Sequence, residues 1–388
     1  MKQVARQTRT HIGELLARHG LRPRHDLGQN FLIDLNLLEF LVAQAEIGPN
    51  DLVFEVGSGT GGLTAYLAAE AGAVISIEVD SRMQQLTAEA VAEFSNVTLI
   101  GCDVLKNKNH FSAEVITALD RGLEPWPYAP SPPTPLPRGE RGEALDGTLR
   151  CANRANPGTG ASAGTGASAG TLSPLAPCGR GVGGEGDRPP ASQNLIPPSS
   201  AATKQLKLVA NLPYGVATPV ISNLVAGPYP WERMVVTIQH ELAQRMAAKE
   251  STTDYSALSV WLQSQCRLEV LKRLPPDVFW PRPKVASAMI RIDPDPELLA
   301  KISDREFLHQ FLRGVFQQRR KLLRNVLIAM YRRELTRTQI DDVLQVHRLD
   351  ADARAEQLPP AQLVNLSNEF SKLVGTAADG SSSVAEDS

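Results

Sequence analysis

The tetrapeptide Asn211-Leu212-Pro213-Tyr214 combines residue types that suit chemistry on a planar amine. Asparagine offers an amide oxygen, proline stiffens the backbone, and tyrosine supplies an aromatic face. The tetrapeptide follows the apolar run 206–210, which is typical of a short buried strand. Ligands of open α/β sheets bind beyond the carboxyl ends of the strands, where these four residues would lie. We therefore interpret them as a site for the exocyclic amino group of adenine.

The amino nitrogen N6 of adenine is a weak nucleophile, because its lone pair is delocalised into the ring. If the side-chain oxygen of Asn211 and the main-chain carbonyl of Leu212 accept the two N6 hydrogens, the nitrogen can pyramidalise and point its lone pair at a methyl group. This is orientation rather than proton abstraction. Tyr214 would stack on one face of an extruded base and Phe279 would contact the other. Core packing is the alternative for both rings.

A glycine-rich motif at 54–61 predicts a site for a nucleoside cofactor. Its glycines follow a strand and open a helix, so that the backbone can pass close to a ligand. Dinucleotide enzymes use a similar turn to hold a pyrophosphate. Glu78 ends the next strand about twenty residues further on, which suits hydrogen bonds from ribose hydroxyls. Glu55 beside the turn favours a sulfonium cofactor, because that cofactor tolerates nearby acids and needs no diphosphate cradle.

Three further residues are candidates for the same cofactor. Asp103 follows the strand 97–100 and could accept a hydrogen bond from the amino group of the cofactor adenine. The alternative for Asp103 is a loop or helix cap. Asn30 and Leu32 could close the methionine side of the pocket.

The composition predicts a globular protein of one large domain with an appendage, or of two domains. The chain has 388 residues, of which 42% are hydrophobic, and a formal net charge of −2. It contains no apolar run of membrane-spanning length and no signal peptide, so we expect a cytoplasmic protein. Cysteines stand at 102, 151, 178 and 266 without a CxxC pair, which supports neither a disulfide framework nor a metal site.

The nearly neutral balance hides two basic clusters, in the N-terminal segment 1–26 and at 317–324. Either cluster could contact phosphates. The alternative for each is an ordinary solvated basic face.

Strand and helix patterns alternate over 52–100 and resume at 206, which predicts a parallel sheet built from βαβ units. We predict a helix over 10–20 that Thr10 opens, and a sheet domain formed by 27–120 and 204–295. The intervening segment 121–203 is rich in Pro, Gly, Ser and Ala, and we expect a disordered low-complexity insertion, either a translated DNA repeat or a tether for a partner. Helical patterns at 304–313, 316–333, 338–346 and 360–374 predict a small helical domain over 296–375, followed by a disordered tail at 376–388.

These motifs resemble those of the KsgA family, the small-subunit ribosomal RNA adenine dimethyltransferases. The resemblance extends over most of the chain outside the insertion. The matching segments, in chain order, are 28–32, 54–61, 77–80, 101–103, 211–214, 279–287 and 316–325. This sequence departs from the family pattern at Ser58, where proline is frequent, and at Ala286, where aspartate is frequent.

The resemblance implies an α/β fold, a Rossmann-like class I methyltransferase sheet with a small C-terminal all-α domain. It also implies a catalytic set and a set that binds S-adenosylmethionine. The catalytic set is Asn211, Leu212, Pro213, Tyr214 and Phe279, and the cofactor set is Asn30, Leu32, Gly57, Glu78, Asp103 and Asn211.

Family members transfer four methyl groups to two adjacent adenosines in a hairpin loop near the 3′ end of small-subunit rRNA. The expected partner is therefore small-subunit rRNA in the immature 30S particle, and we expect a monomer that needs no metal and contacts no membrane. Two alternatives stay open: an Erm-type methyltransferase of large-subunit rRNA and a ribosome-assembly factor with little turnover. The predicted C-terminal helices, with the Gln-Arg-Arg-Lys segment at 318–321, favour the small-subunit enzyme.

Overall fold

A computed structural model of the chain describes residues 7–24, 26–124 and 204–382. The predicted insertion lies outside the described residues from 125 to 203, as does the predicted tail beyond 382. The first part of the chain comprises α1 Arg9–Arg18, β1 Phe31–Leu32, α2 Leu35–Ala45, β2 Asp51–Val56, α3 Gly62–Glu70, β3 Ala73–Ile77, α4 Ser81–Ala90, β4 Val97–Ile100, β5 Leu105–Asn107, β6 His110–Phe111 and α5 Ala113–Leu123.

The second part of the chain completes the sheet and adds the C-terminal helices. Its first elements are β7 Gln205–Asn211, α6 Ala217–Ala226, β8 Trp231–Gln239, α7 His240–Met246, α8 Ala257–Gln263, β9 Cys266–Leu274, β10 Phe279–Trp280 and β11 Ser287–Pro294. Five helices follow: α9 Pro296–Leu299, α10 Arg305–Gln317, α11 Leu323–Met330, α12 Arg337–Val346 and α13 Pro360–Ser382.

The central sheet has seven strands in the order β4-β3-β2-β7-β8-β11-β9. The first five strands run parallel, as the alternating pattern predicts, whereas β11 runs antiparallel to both of its neighbours. Two short ladders lie outside the sheet and pair β1 with β10 and β5 with β6. The order of the strands reverses at β2 and β7, so the crevice at their carboxyl ends is where an α/β sheet binds ligands.

Helices cover both faces of the sheet, which explains why its inner strands are largely apolar and do not alternate with polar residues. All six residues of β2 are buried. Leu52 and Phe54 face a core that includes α5, α6 and the C-terminal helices. Val53 and Val209 face the opposite core, against α2 and α3. One continuous core thus joins the C-terminal helices to the sheet, and the separate helical domain over 296–375 stays a prediction.

The N-terminal helix α1 is shorter than the predicted 10–20 and begins differently. Thr8, not Thr10, is the N-cap, and its hydroxyl accepts a hydrogen bond from the His11 amide at 3.4 Å. The apolar face of α1 carries Ile12 and Leu16, which pack in a small core with Phe31 of β1 and with α4. The described part of the predicted basic segment is therefore anchored to the sheet domain through apolar contacts.

The predicted continuous helix over 316–333 is wrong, because α10 ends at Gln317 and α11 begins only at Leu323. Residues 318–321 form a turn. Leu322 forms an antiparallel bridge with Arg354, which draws the backbone out of the helix. Arg319 is fixed by hydrogen bonds to the carbonyls of Tyr255 and Thr253. The basic cluster at 317–324 therefore lies largely on a turn between two helices.

The predicted starts of the insertion and of the tail both fall inside helices of the structure. Helix α5 continues to Leu123, beyond the predicted start of the insertion at 121. Helix α13 continues to Ser382, beyond the predicted start of the tail at 376. Gly375 lies inside α13 and does not end it, and the earlier residues Leu366 and Phe370 are fully buried and anchor the helix.

The two ends of the insertion lie side by side at the amino-terminal edge of the sheet. The ammonium group of Lys204 donates a hydrogen bond to the Gly122 carbonyl at 2.7 Å. A short connection can therefore replace the insertion, since the ends are already close and closing a shorter loop costs less entropy.

We predict that replacing residues 126–202 with a short Gly-Ser linker shifts the melting temperature by less than about 4 °C. The measurement is thermal unfolding followed by circular dichroism. Deleting 121–203 is the matched control, and we expect it to destabilise the protein because it removes the last turn of α5. A large loss of stability in the 126–202 replacement would show that the insertion supports the fold.

Candidate active site

A cavity of about 980 Å³ lies at the carboxyl ends of β2, β3, β7 and β8. The structure brings all ten predicted site residues to this one cavity. They are Asn30, Leu32, Gly57, Glu78, Asp103, Asn211, Leu212, Pro213, Tyr214 and Phe279. The roles that the sequence suggests for the individual residues stay predictions.

The glycine turn after β2 passes close to the tetrapeptide. Gly57 has a φ of 83°, and a Cβ built there would lie 3.0 Å from the ring carbons of Pro213. Gly59 has a φ of 57°, and a Cβ there would lie 2.8 Å from the Phe31 ring. Both positions therefore require glycine for conformation and for space. At both positions the backbone itself lines the cavity.

Glu78 ties the glycine turn to the loop after β3. Its Oε2 accepts a hydrogen bond from the Gly59 amide at 2.9 Å, and its Oε1 accepts one from the Asp80 amide at 3.0 Å. The side chain is mostly buried, and this burial raises the pKa of the carboxyl group. Glu78 therefore shapes the turn in addition to lining the cavity.

Asp103 lines the cavity but remains exposed to solvent. Its Oδ1 accepts a hydrogen bond from the Leu105 amide at 3.0 Å, which caps the turn into the β5–β6 ladder. The structure thus shows the capping interaction considered from the sequence. A carboxylate has lone pairs for more than one partner, so capping leaves Asp103 able to accept from a ligand.

Glu55 lies beneath the glycine turn and is 1% exposed. Its Oε2 accepts hydrogen bonds from the Thr64 and Ser76 hydroxyls, each at 2.7 Å. Its Oε1 has no partner among the described residues. Burial raises the pKa of this carboxyl group to about 7, so near neutral pH it is partly protonated. Glu55 is therefore not a permanent negative charge beside the glycine turn.

The side chain of Asn211 is held in one orientation by the main chain just before β1. Its Nδ2 donates a hydrogen bond to the Asn30 carbonyl at 2.8 Å. The amide of Leu212 donates to the Thr237 carbonyl at 3.0 Å. The Asn211 Oδ1 and the Leu212 carbonyl accept no hydrogen bond from any residue within the described ranges. Both oxygens are therefore available to accept hydrogen bonds from a ligand amine.

The two aromatic side chains of the site differ in their surroundings. The Tyr214 hydroxyl shares a 2.6 Å hydrogen bond with the Ser287 hydroxyl, and burial raises the pKa of Tyr214. Phe279 is 3% exposed and packs in the core that contains Met289, although it also lines the cavity. Core packing therefore accounts for much of the Phe279 side chain.

Sequence reasoning missed several residues that line the cavity. Gln7 is buried, and its Nε2 donates to the Thr60 carbonyl at 2.9 Å. Arg282 and Lys284 are exposed on the loop before β11, and Gln239 ends β8. Gln239 could have been found, because it ends an apolar run that lies beside the tetrapeptide strand. Gln7 gives no signal in the sequence, since its partner is distant along the chain.

The described residues lack two further features. No helix among them is long and apolar enough to cross a membrane. In the same ranges, no three side chains of His, Cys, Asp or Glu are grouped so that they could hold a metal ion.

The chain is similar to known rRNA methyltransferases along most of its length. A family model described as ribosomal RNA adenine dimethylase matches residues 20–372. Ribosomal RNA small subunit methyltransferase A of Geobacillus thermodenitrificans is 30% identical over 373 residues, which cover 96% of this chain and 98% of that protein. The protein of the same name from Lactiplantibacillus plantarum is 28% identical over 366 residues, covering 94% and 95%. The crystal structure of a dimethyladenosine transferase from Plasmodium falciparum has a TM-score of 0.58 at 18% identity, and covers 88% of this chain and 97% of that chain.

The strand order, with one antiparallel strand inserted near the edge, and the likeness to the solved transferase define a class I methyltransferase fold. The Rossmann-like class I sheet predicted from the sequence is confirmed. Within that class, the family match shows that the chain belongs to the ribosomal RNA adenine dimethylase family. The chain is therefore an rRNA adenine dimethyltransferase.

We predict that Glu55→Gln stabilises the protein at pH 8 and not at pH 4.5. The pKa of Glu55 rises from its ordinary value of 4.5 to about 7 on folding. Its contribution to stability is therefore fully present below pH 4.5 and is lost as the pH rises through about 7. This change in pKa lowers the free energy of unfolding by roughly 3 kcal/mol at pH 8. Glutamine has a similar size and no charge, so the variant avoids this loss.

Urea unfolding of both proteins at the two pH values measures this difference in the free energy of unfolding. Glu70→Gln is the control, because Glu70 is exposed on α3. A pH-independent difference between Glu55→Gln and the wild type would contradict the raised pKa.

Proposed function

We propose that the chain uses S-adenosylmethionine to dimethylate N6 of two adjacent adenosines in the 3′-terminal hairpin loop of small-subunit rRNA. The observation that carries the proposal is the fixed side chain of Asn211. Because its Nδ2 is engaged by the Asn30 carbonyl, its Oδ1 is the end left to meet an amine. The Leu212 carbonyl supplies a second acceptor next to it, and the glycine turn lies against Pro213.

The cavity fits the proposed cofactor. The close approach of Gly57 to Pro213 leaves no room for a side chain, so a ligand there meets bare backbone. Glu78 and Asp103 present carboxyl groups suited to ribose hydroxyls and to an adenine amino group. Asn30 and Leu32 line the same cavity.

The bound cofactor would supply a methyl group on a positively charged sulfur. The protein residues contribute orientation. Asn211 Oδ1 and the Leu212 carbonyl accept the N6 hydrogens of the target adenine, so that the nitrogen lone pair turns out of the ring plane towards the methyl group. Transfer would join the methyl carbon to N6 and break its bond to sulfur, and the N6 proton would leave to water. Tyr214 and Phe279 confine the extruded base between them.

The small ribosomal subunit is the proposed source of the RNA. The two curated relatives described above are named as small-subunit methyltransferases, which disfavours the Erm-type alternative. Exposed Arg282 and Lys284 at the cavity give phosphates a place to bind. The intact tetrapeptide argues against an assembly factor without turnover. We further propose a cytoplasmic monomer that acts on the immature 30S particle without a metal ion.

We predict that Asn211→Ala lowers methyl transfer at least about a hundredfold, because it removes the acceptor that orients N6. The assay is methyl incorporation into immature small and large ribosomal subunits, with mass mapping of the methylated adenosines. The wild type should modify only small-subunit RNA, and circular dichroism should show that the variant is folded. Methylation confined to large-subunit RNA would refute the proposed substrate, and wild-type turnover by the variant would refute the role of Asn211.

We predict that Glu78→Ala weakens binding of S-adenosylmethionine about tenfold or more, because it removes a ribose acceptor and loosens the Gly59 turn. Isothermal titration calorimetry measures the affinity. Glu70→Ala, on the exposed surface of α3, is the control for loss of a carboxylate. Unchanged affinity in Glu78→Ala would rule out this role.

A further inference from the structure

Gln239 lines the cavity, and the proposed function gives it no role. Gln239 is the last residue of β8 and the N-cap of α7, but its side chain makes no capping hydrogen bond. Throughout the described ranges, its amide group has no hydrogen-bond partner. The residue is half-buried, so the amide can reach a ligand in the cavity.

Strand register places Gln239 beside the catalytic tetrapeptide. Asn211 of β7 pairs with Thr237 of β8. Side chains two residues apart on a strand point to the same face, so Gln239 shares the face of Thr237 and Asn211. On its other side, Gln239 pairs with Ser287, whose hydroxyl is bonded to Tyr214. Gln239 thus stands at the target-base end of the cavity, between the predicted N6 acceptor and the predicted stacking ring.

We propose that Gln239 holds the target adenine by donating a hydrogen bond from its side-chain amide to a ring nitrogen next to N6, either N1 or N7. The proposal rests on the proposed function. The two N6 hydrogens are already assigned to Asn211 and Leu212, and both ring nitrogens beside N6 are acceptors. A glutamine amide is the common partner of such an acceptor in adenine recognition.

The same contact explains how the enzyme can perform a second transfer to the same nitrogen. After the first transfer, N6 carries one hydrogen, so Asn211 and Leu212 together can accept only one hydrogen bond. Methylation of N6 leaves the ring nitrogens unchanged as acceptors. The hydrogen bond from Gln239 therefore carries a larger share of base binding in the second transfer than in the first.

The test is the ratio of monomethylated to dimethylated adenosine at the target sites, measured by mass spectrometry over a time course. In Gln239→Ala we expect the second transfer to slow about tenfold and the first transfer to slow less, so that monomethyladenosine accumulates. Gln239→Glu should behave in the same way. It has nearly the same size, but an ionised carboxylate cannot donate a hydrogen bond.

Controls separate this role from packing and from the proposed function itself. Gln345→Ala, on the exposed face of α12, should leave the ratio unchanged. Substrate RNA with 1-deaza- or 7-deaza-adenosine should reproduce the defect in the wild type with one of the two analogues, and Gln239→Ala should add no further loss with that analogue. A wild-type ratio in Gln239→Glu overturns the inference, because only size would then matter. A wild-type enzyme that forms no dimethyladenosine overturns the proposed function first.

Discussion

The hydrogen bond from the Asn211 side chain to the Asn30 carbonyl determines what the rest of the site can do. It leaves the amide with a single free end, and that end is an acceptor. The bond requires the short strand β1 to lie beside the end of β7, and the pairing of β1 with β10 helps to hold it there. Residues from three distant parts of the sequence are therefore needed to orient one oxygen atom.

Two buried carboxyl groups of the site lower the stability of the folded protein. Glu55 is buried with one oxygen unpartnered, and Glu78 is buried against two backbone amides. Burial opposes the charged form of each carboxyl group, so both are unfavourable for folding near neutral pH. The apolar cores on the two faces of the sheet offset this cost. Glu55 itself belongs to β2, a strand whose six residues are all buried between these cores.

Much of the fold and site could be predicted from the sequence, for physical reasons that also mark its limits. Largely apolar runs such as 206–210 identify strands, because both faces of the sheet are covered. Ligands of such sheets bind beyond the carboxyl ends of the strands, so residues that follow the strands are predicted to share one site. The break between α10 and α11 could not be predicted, because it depends on a bridge between Leu322 and Arg354, which are far apart in the sequence. Loop capping by Asp103 is one of two roles that its position in the sequence predicts, and the structure shows it at the Leu105 amide. The raised pKa of Glu55 depends on desolvation, which spacing does not encode.

The contact between Lys204 and Gly122 fixes the root of the insertion at the end of the sheet opposite the cavity. Strand β7 has seven residues and separates that root from Asn211 by about 20 Å. Residues can therefore be inserted or deleted at this position without moving the catalytic end of β7. The segment between α5 and β7 is thus a suitable point for attaching a fluorescent or affinity label to this enzyme.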